Sequence, residues 1–152
     1  METLKFRPNV AAIIQDAAGL VLICERADHP GSWQFPQGGI DPGETPEVAL
    51  PRELREEISL EPTQYVVEAQ RGPYRYRFPD GVKKWGFDGQ EQTYFLLRLT
   101  ALPGVVNFAT AHAEFRAVRW VRPEDFPLAA LLVTKHTVYR DVLRDFFGVE
   151  IA

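Results

Sequence analysis

A glycine-rich loop followed by a helix with closely spaced glutamates constrains this chain more than any other feature of its sequence. Gly38, Gly39 and Gly43 permit a tight loop, because glycine adopts backbone conformations that other residues avoid. Thr45 and Pro46 then predict the start of a helix, since threonine caps helices and proline suits the first helical position. Any fold of this chain must therefore place that loop beside this helix.

The predicted helix places three glutamates on one face. At about 100° per residue, Glu53, Glu56 and Glu57 lie within about 100° of one another. Such a cluster is usually only a solvated charged face. It also suits a divalent cation, because Mg²⁺ prefers oxygen ligands and bridges carboxylates to phosphates. The three glutamates leave both interpretations open and, taken alone, favour the first.

The residues around these glutamates favour the cation site. Glu44 follows the glycine loop directly, just before the helix. The whole string resembles the Nudix box, the signature of the Nudix hydrolases: Gly38-x5-Glu44-x7-Arg52-Glu53-Leu54-x-Glu56-Glu57-x-Ser59-Leu60. One position departs from the signature, because Ser59 stands where the pattern has glycine. The backbone there is often left-handed, which costs serine about 1 kcal/mol, but serine removes no metal ligand.

The resemblance implies an α+β fold, in which a mixed β-sheet lies between α-helices, and one domain over residues 1–152. It also implies hydrolysis of a pyrophosphate linkage by a water that a divalent metal, Mg²⁺ or Mn²⁺, and a glutamate activate. Arg52, Glu53 and Glu56 are the expected catalytic residues, with Arg52 holding a box glutamate and Glu56 either a ligand or the general base. The expected metal ligands are the carbonyl of Gly38, Glu53, Glu56, Glu57 and, from a distant loop, Glu114.

Segments outside the box resemble a subgroup that includes bacterial RNA 5′-pyrophosphohydrolases and plant-type dinucleoside tetraphosphate hydrolases. These segments are Arg7-Pro8-Asn9-Val10, residues 33–39, Gly89-Gln90-x-Gln92, residues 94–97, and Glu114-Phe115 with Trp120-Val121. The implied substrate is a nucleoside 5′-polyphosphate, either a dinucleoside polyphosphate or the 5′-triphosphate end of RNA. The expected substrate-binding residues are Arg7, Arg26, Gln37, Tyr76 and Lys84.

The accessory residues also have ordinary structural alternatives. Arg7, Arg26 and Glu114 are equally typical of a charged surface, and Lys84 of a solubilised loop. Tyr76 lies near the spacing from the box at which a tyrosine of dinucleoside polyphosphate hydrolases can stack on a base, yet strand packing also explains a tyrosine there. A further stacking candidate is Trp85, next to a glycine in a loop, and the three histidines, His29, His112 and His136, lack the spacing of metal ligands.

Two other functions remain open at this stage. One is a sanitising nucleoside triphosphatase or an ADP-ribose hydrolase, against which the Gln-Phe-Pro-Gln-Gly-Gly context and Tyr76 argue. The other is a non-catalytic nucleotide sensor or RNA-binding module on the same fold. Such modules tend to lose box glutamates, whereas this chain keeps all four: Glu44, Glu53, Glu56 and Glu57.

Composition sets the remaining limits. The chain has 152 residues, 45% of them hydrophobic, and no apolar run long enough to predict a membrane span. Its one cysteine, Cys24, lies in an apolar run, which predicts a buried, unreactive thiol and fits a reducing cytoplasm. The net charge of −4 argues weakly against a large non-specific nucleic-acid surface.

The secondary structure outside the box is predicted from hydrophobic pattern. A hairpin joins strands at residues 10–14 and 20–24, and four more strands are expected at residues 65–68, 74–78, 93–100 and 115–121. A final helix has apolar pairs at helical spacing, with Thr134 as its cap and Gly148 as its end. Pro51 predicts an irregular start to the box helix, because proline removes a backbone hydrogen bond.

Overall fold

The computed structural model describes residues 3–110 and 113–151. Within these ranges seven strands form one mixed sheet, flanked by two α-helices. The strands are β1 (Phe6–Gln15), β2 (Val21–Arg26), β3 (Trp33–Gln34), β4 (Gln37–Gly39), β5 (Tyr65–Arg77), β6 (Gly89–Leu99) and β7 (Phe115–Val121), and the helices are α1 (Pro46–Ile58) and α2 (His136–Phe147).

The sheet is mixed because its central pair is parallel and the other pairs are antiparallel. β1 runs parallel to β6 along its whole length and pairs antiparallel with β2 and β4. β5 pairs antiparallel with β6, while β3 and β7 both pair antiparallel with β2. β4 meets β1 through Gly38, which lies opposite Val10, so the glycine loop is fixed against the middle of the sheet.

Each face of the sheet is covered by one helix. Val10, Ala12 and Ile14 of β1 are buried in one cluster with Leu50, Leu54 and Ile58 of α1. Ala11 and Ile13, the alternate residues of β1, are buried in a second cluster with Val138, Tyr139, Val142 and Leu143 of α2. Because side chains alternate along a strand, one apolar strand supplies both cores. The predicted arrangement of a mixed sheet between helices is confirmed.

The predicted strands are present, but β1 and β6 each begin four residues earlier than predicted, and two of the predicted strands are joined in β5. The predicted hairpin is present, and the strand at residues 115–121 has the predicted bounds. The strands predicted at residues 65–68 and 74–78 belong instead to one strand, β5, whose pairing with β6 shifts register between Val67 and Ala69 and between Arg71 and Tyr74. Pro73 is tolerated within it because β5 lies at the edge of the sheet, where a missing backbone donor is acceptable.

Helix α1 begins and ends as its sequence predicts. The hydroxyl of Thr45 accepts a hydrogen bond from the backbone N–H of Val48 at 3.3 Å, and Ser59 ends the helix in the left-handed conformation with φ of 58°. The predicted irregular start is wrong, because the helix is continuous across Pro51. The carbonyl that loses its partner to Pro51 belongs to Glu47, an exposed residue, so the missing bond does not leave a polar group in the core.

Helix α2 ends but does not begin as predicted. Gly148 ends it in the left-handed conformation with φ of 66°. Thr134 does not cap it, because a 3₁₀ turn at Val133–Lys135 leads directly into the helix and Lys135 occupies the cap position. The predicted burial of Cys24 is confirmed, and burial raises the pKa of its thiol far above the usual range. No helix in the described ranges is long and apolar enough to cross a membrane.

The left-handed backbone at Ser59 predicts a stabilising substitution. Replacing Ser59 with glycine removes the strain of a side chain at positive φ, and we expect the free energy of unfolding to rise by about 0.5 to 1 kcal/mol. Chemical denaturation measures this change. Ser59→Ala is the matched control, since alanine keeps the strain. A gain in stability from alanine equal to that from glycine would contradict the explanation.

Candidate active site

A cleft of about 510 Å³ opens beside the glycine loop. Its walls come from the start of β1, the end of β2, β4, α1, the end of β5 and the segments before β7 and α2. All the predicted site residues except Arg52 line it: Arg7, Arg26, Gln37, Gly38, Glu53, Glu56, Glu57, Tyr76, Lys84 and Glu114. Residues from distant parts of the sequence therefore meet at the place where the box lies.

The glutamates of α1 form an acidic wall. Glu53, Glu56 and Glu57 each place a carboxylate oxygen within 4.8 Å of the others. Glu57 is buried, Glu53 is partly buried and Glu56 is exposed, so the cluster runs from the core to the cleft mouth. Glu114, the residue directly before β7, also lines the cleft and is near enough to Glu57 for their charges to interact.

The packing of Gly38 shows why a glycine stands at the start of the box. A Cβ atom at Gly38 would overlap the carboxylate of Glu53. The backbone of β4 therefore lies directly against this carboxylate, and the absence of a side chain makes that approach possible. Gly39 serves a different partner, since a Cβ atom there would overlap the guanidinium of Arg7. The two adjacent glycines thus accommodate one negative and one positive group.

The acidic wall is electrostatically unfavourable by itself. Burial raises the pKa of Glu53 to about 7, and burial together with the charges of Glu114 and Glu53 raises the pKa of Glu57 to about 8. Burial also raises the pKa of Glu114. One carboxylate oxygen of Glu57, Oε2, is buried and has no hydrogen-bond partner in the described part of the chain. Uncompensated carboxylates of this kind need a positive partner.

Arg52 supplies part of the compensation from behind the wall. Its guanidinium donates to Glu44 at 2.7 and 2.9 Å, to Glu53 at 2.9 Å and to the carbonyl of Gly39 at 2.9 Å. The bond to Arg52 lowers the pKa of Glu44 to about 2. Arg52 is not among the residues that line the cleft; it bonds to Glu53 and ties the glycine loop to α1, which is the contact expected of a residue that holds a box glutamate.

The cleft is also lined by basic side chains, which we call the basic wall: Arg7, Arg26, Lys84 and Lys135. Arg26 forms a bidentate ion pair with Asp28 at 2.6 and 2.9 Å. Lys84 lines the same wall, in the segment between β5 and β6. Arg7 lies against Gly39 and has its guanidinium carbon 3.9 Å from the ring centroid of Trp85, close enough for a cation–π contact.

Lys135 is a cleft residue that the sequence did not indicate. It is only 8% exposed, and its ammonium group donates to Gln34 at 3.2 Å. Burial and the nearby charges of Arg26 and Lys84 lower its pKa to about 8. In the sequence, a lysine just before a helix indicates only a surface charge. Lys135 lines the cleft because α2 packs against the sheet.

Tyr76 and Trp85 occupy different positions relative to the cleft. Tyr76 is 7% exposed, packs edge-to-face against Phe78, and accepts a hydrogen bond at its hydroxyl from Gln90 at 2.9 Å. Little of its ring is therefore open to a base, and its role in stacking stays a prediction. Trp85 is 63% exposed at the rim and offers the larger free surface.

The three histidines have separate positions. His29 is exposed and His136 bonds to the carbonyl of Leu131, whereas His112 lies outside the described residues.

Comparison with known proteins gives the family. The NUDIX domain model matches residues 5–146. The chain belongs to the Nudix family. Curated relatives named RNA pyrophosphohydrolase include one from Helicobacter pylori, 45% identical over 93% of this chain and 94% of its own length. Another, from Rhodospirillum rubrum, is 39% identical over 97% of this chain and 91% of its own length.

Solved structures show the same fold at lower identity. An Ap4A hydrolase from C. elegans in a binary complex has a TM-score of 0.67 at 21% identity, covering 93% of this chain and 98% of its own. The dihydroneopterin triphosphate pyrophosphohydrolase of E. coli has a TM-score of 0.67 at 21% identity, covering 95% and 97%. The predicted Nudix fold is thereby confirmed, as is the prediction that this chain is a Nudix pyrophosphohydrolase.

The acidic wall of this Nudix enzyme fits the divalent metal that its family generally needs. The clustered carboxylate oxygens are hard ligands of the kind that such cations prefer. The unpartnered oxygen of Glu57 and the raised pKa values of Glu53 and Glu57 both indicate that the ionised forms of these carboxyls lack a counterion in the metal-free protein. A bound cation would remove that imbalance, so the residues present suit the group.

The same imbalance predicts how stability changes with pH in the metal-free Nudix protein. The unfolded chain ionises Glu57 near its ordinary pKa of 4.5, whereas the folded chain holds the proton to about 8. The folded state therefore binds more protons between these values, and the free energy of unfolding should fall as pH rises from about 5.5 to about 7.5. Chemical denaturation in EDTA at several pH values measures the slope.

Glu57→Gln is the control for this pH dependence, because glutamine cannot ionise. The variant should show a smaller fall than the wild-type protein, and a saturating divalent metal should also reduce the fall by favouring the ionised carboxylates. An equal slope in the wild-type protein and in Glu57→Gln would show that Glu57 does not carry the effect.

Proposed function

We propose that this Nudix hydrolase cleaves a pyrophosphate linkage at the 5′-triphosphate end of RNA, with Mg²⁺ or Mn²⁺ as its cofactor, in the cytoplasm. The observation that carries the proposal is the identity of 39% and 45% to the two RNA pyrophosphohydrolases, over more than nine-tenths of this chain and of theirs. A cleft with one acidic and one basic wall supports it, because a metal-bound phosphate chain needs both.

The metal ligands in this proposal come from the acidic wall. They are the carbonyl of Gly38, the carboxylates of Glu53, Glu56 and Glu57, and that of Glu114. When bound, the metal lowers the pKa of water and offsets charge on the leaving phosphate. Arg52 keeps Glu53 in place through a hydrogen bond of 2.9 Å, so this ligand needs little rearrangement before binding.

Glu56 is the proposed acceptor of the proton from the attacking water. Its side chain is 42% exposed, whereas that of Glu53 is 14% exposed. Water in the cleft therefore reaches Glu56 most directly, and a carboxylate within hydrogen-bond reach of a water can act as a general base. Arg52 approaches Glu56 at 3.4 Å and limits the positions that its carboxylate can take.

The basic wall is the proposed site for the phosphate chain. Arg7, Arg26, Lys84 and Lys135 line it with Gln37, and arginine in particular matches the geometry of phosphate oxygens. Trp85 lies at the rim beside Arg7, where a base attached to the chain could stack on it. In this proposal the cationic side chains bind the phosphate chain near the metal, and Trp85 binds the attached base farther out at the rim.

Glutamate substitutions test the proposed chemistry. Glu56→Gln and Glu57→Gln should each lower kcat by about a hundredfold or more, because each removes a charge needed for metal binding or proton transfer. Glu47→Gln is the matched control, since Glu47 lies on the same helix but contacts Gln70 outside the cleft. It should retain near-normal activity. EDTA should abolish activity in the wild-type protein, and near-normal turnover in both site variants would refute the assignment.

Substrate comparison tests the proposed specificity. The initial rate on a short triphosphorylated RNA should exceed the rate on diadenosine tetraphosphate at equal concentration, with the products identified by mass spectrometry. A higher rate on diadenosine tetraphosphate would favour the dinucleoside polyphosphate alternative, and a preference for ADP-ribose or a free nucleoside triphosphate would favour a sanitising role. Tight binding of nucleotide without hydrolysis under either metal would indicate a sensor.

A further inference from the structure

A chain of buried amides lies behind the floor of the cleft. Its centre is Asn9, which is fully buried on β1, opposite Gly39 of β4 and Gln92 of β6. The Nδ2 group of Asn9 donates to Gln37 at 2.6 Å and to Gln90 at 2.7 Å, and its Oδ1 accepts from Gln92 at 3.0 Å. Asn9 does not line the cleft, whereas Gln37 and Gln90 do.

These bonds determine which end of Gln37 is presented to a ligand. A side-chain amide has one donor end and one acceptor end. Because Asn9 donates to Oε1 of Gln37, the NH₂ group of Gln37 is left for the cleft. Glu53 and Glu57 line a smaller cavity together with Gln37, and their negative charge also favours the NH₂ group on that side.

The same reasoning gives the direction of the Tyr76 hydroxyl. Gln90 accepts from Asn9 with its oxygen, and so its NH₂ group donates to the hydroxyl of Tyr76 at 2.9 Å. The hydroxyl oxygen is then already an acceptor, which leaves its hydrogen to be donated elsewhere. Tyr76 lines the cleft, so this second donor is available to a ligand there.

We propose that Asn9 is a positioning residue that sets the hydrogen-bond polarity of the cleft. By using both Nδ2 hydrogens on Gln37 and Gln90, it presents the NH₂ group of Gln37 and the O–H group of Tyr76 as donors to an oxygen of the phosphate chain. This inference rests on the proposed function insofar as the ligand is a polyphosphate. Asn9 itself contacts neither the substrate nor the metal in this proposal. By fixing donors toward the cleft, it favours binding of an anion over binding of a ligand rich in hydrogen-bond donors.

Asn9→Asp tests the polarity because aspartate has nearly the same shape but no NH₂ group. The introduced carboxylate accepts where Asn9 donated, which turns the NH₂ groups of Gln37 and Gln90 inward. Even a protonated carboxyl has one hydrogen for two acceptors, so at least one donor is lost. We expect kcat/KM on triphosphorylated RNA, and affinity for a methylene-bridged triphosphate with Mg²⁺, to fall by about tenfold to a hundredfold.

Asn9→Ala and Tyr76→Phe separate polarity from structural support and from added charge. Alanine frees the two glutamines to turn toward the anion, so Asn9→Ala should bind the analogue better than Asn9→Asp does. Tyr76→Phe should weaken binding by about tenfold alone, but by less than about twofold when added to Asn9→Asp, because the hydroxyl is by then a donor to Gln90. Calorimetry measures each affinity.

The opposite results would overturn the proposal. They are wild-type affinity in Asn9→Asp, an affinity of Asn9→Ala no better than that of Asn9→Asp, or equal losses from Tyr76→Phe in both backgrounds. If Asn9→Asp does not fold, Gln90→Glu tests the same polarity at Tyr76. One carboxylate oxygen of the introduced glutamate accepts from Asn9 and the other accepts from the Tyr76 hydroxyl. Adding Tyr76→Phe to Gln90→Glu should then leave the affinity for the analogue unchanged. The affinity for the analogue is measured without hydrolysis, so the two proposals can fail separately. If the affinities follow the predicted pattern but the protein does not hydrolyse triphosphorylated RNA, the proposed function is refuted and the role of Asn9 is supported.

Discussion

The carboxyl groups of Glu53 and Glu57 are partly or fully buried, and burial disfavours their ionised forms. The rest of the site depends on which groups offset this cost of desolvation. Arg52 opposes part of the rise in the pKa of Glu53 and ties this glutamate to Glu44 and to the glycine loop. Glu57 receives no comparable partner in the described part of the chain, and its Oε2 is left without a hydrogen bond. A buried ionised group without a partner costs several kcal/mol in general terms. The fold therefore retains an unfavourable electrostatic term that a bound cation can offset, and this fits the divalent metal that the Nudix family generally needs.

The two adjacent glycines show how little space separates the opposite charges of the cleft. The backbone at Gly38 lies against the carboxylate of Glu53, and the backbone at Gly39 lies against the guanidinium of Arg7. The short strand β4 thus separates the acidic wall from the basic one. Its pairing with β1 fixes it in place, and that pairing also brings Asn9 beside Gln37. One strand of three residues consequently lies beside a proposed metal ligand, a cation of the proposed phosphate site and an amide donor, and a change in its register would displace all of them together.

The sequence predicts the features that depend on local spacing. Helical periodicity is sufficient to place Glu53, Glu56 and Glu57 on one face, and cap chemistry is sufficient to start α1 at Thr45 and to anticipate the left-handed Ser59. Features that depend on packing between distant segments are predicted only where the family resemblance points to them, as at Arg7 and Glu114, and the others are missed. Lys135 enters the cleft because α2 packs on the sheet, and Asn9 has a role only because β1, β4 and β6 are neighbours. The joined strand β5 is missed for the same reason, since pairing with β6 keeps it extended across Pro73.

The charge distribution bears on how a protein with a net charge of −4 handles a long polyanion. Non-specific affinity for RNA grows with the number of phosphates that cationic side chains neutralise. Here the cleft gathers Arg7, Arg26, Lys84 and Lys135, and Arg26 is paired there with Asp28, as Arg116 is with Glu25 and Arg75 with Glu91 elsewhere in the fold. The cleft lining thus combines these four cations with five carboxylates, those of Asp28, Glu53, Glu56, Glu57 and Glu114, and a bound divalent metal would shift this balance toward attraction of a phosphate chain. For the proposed substrate this arrangement favours the triphosphate terminus over the body of the RNA, because the terminus carries extra charge that the metal-loaded cleft can receive.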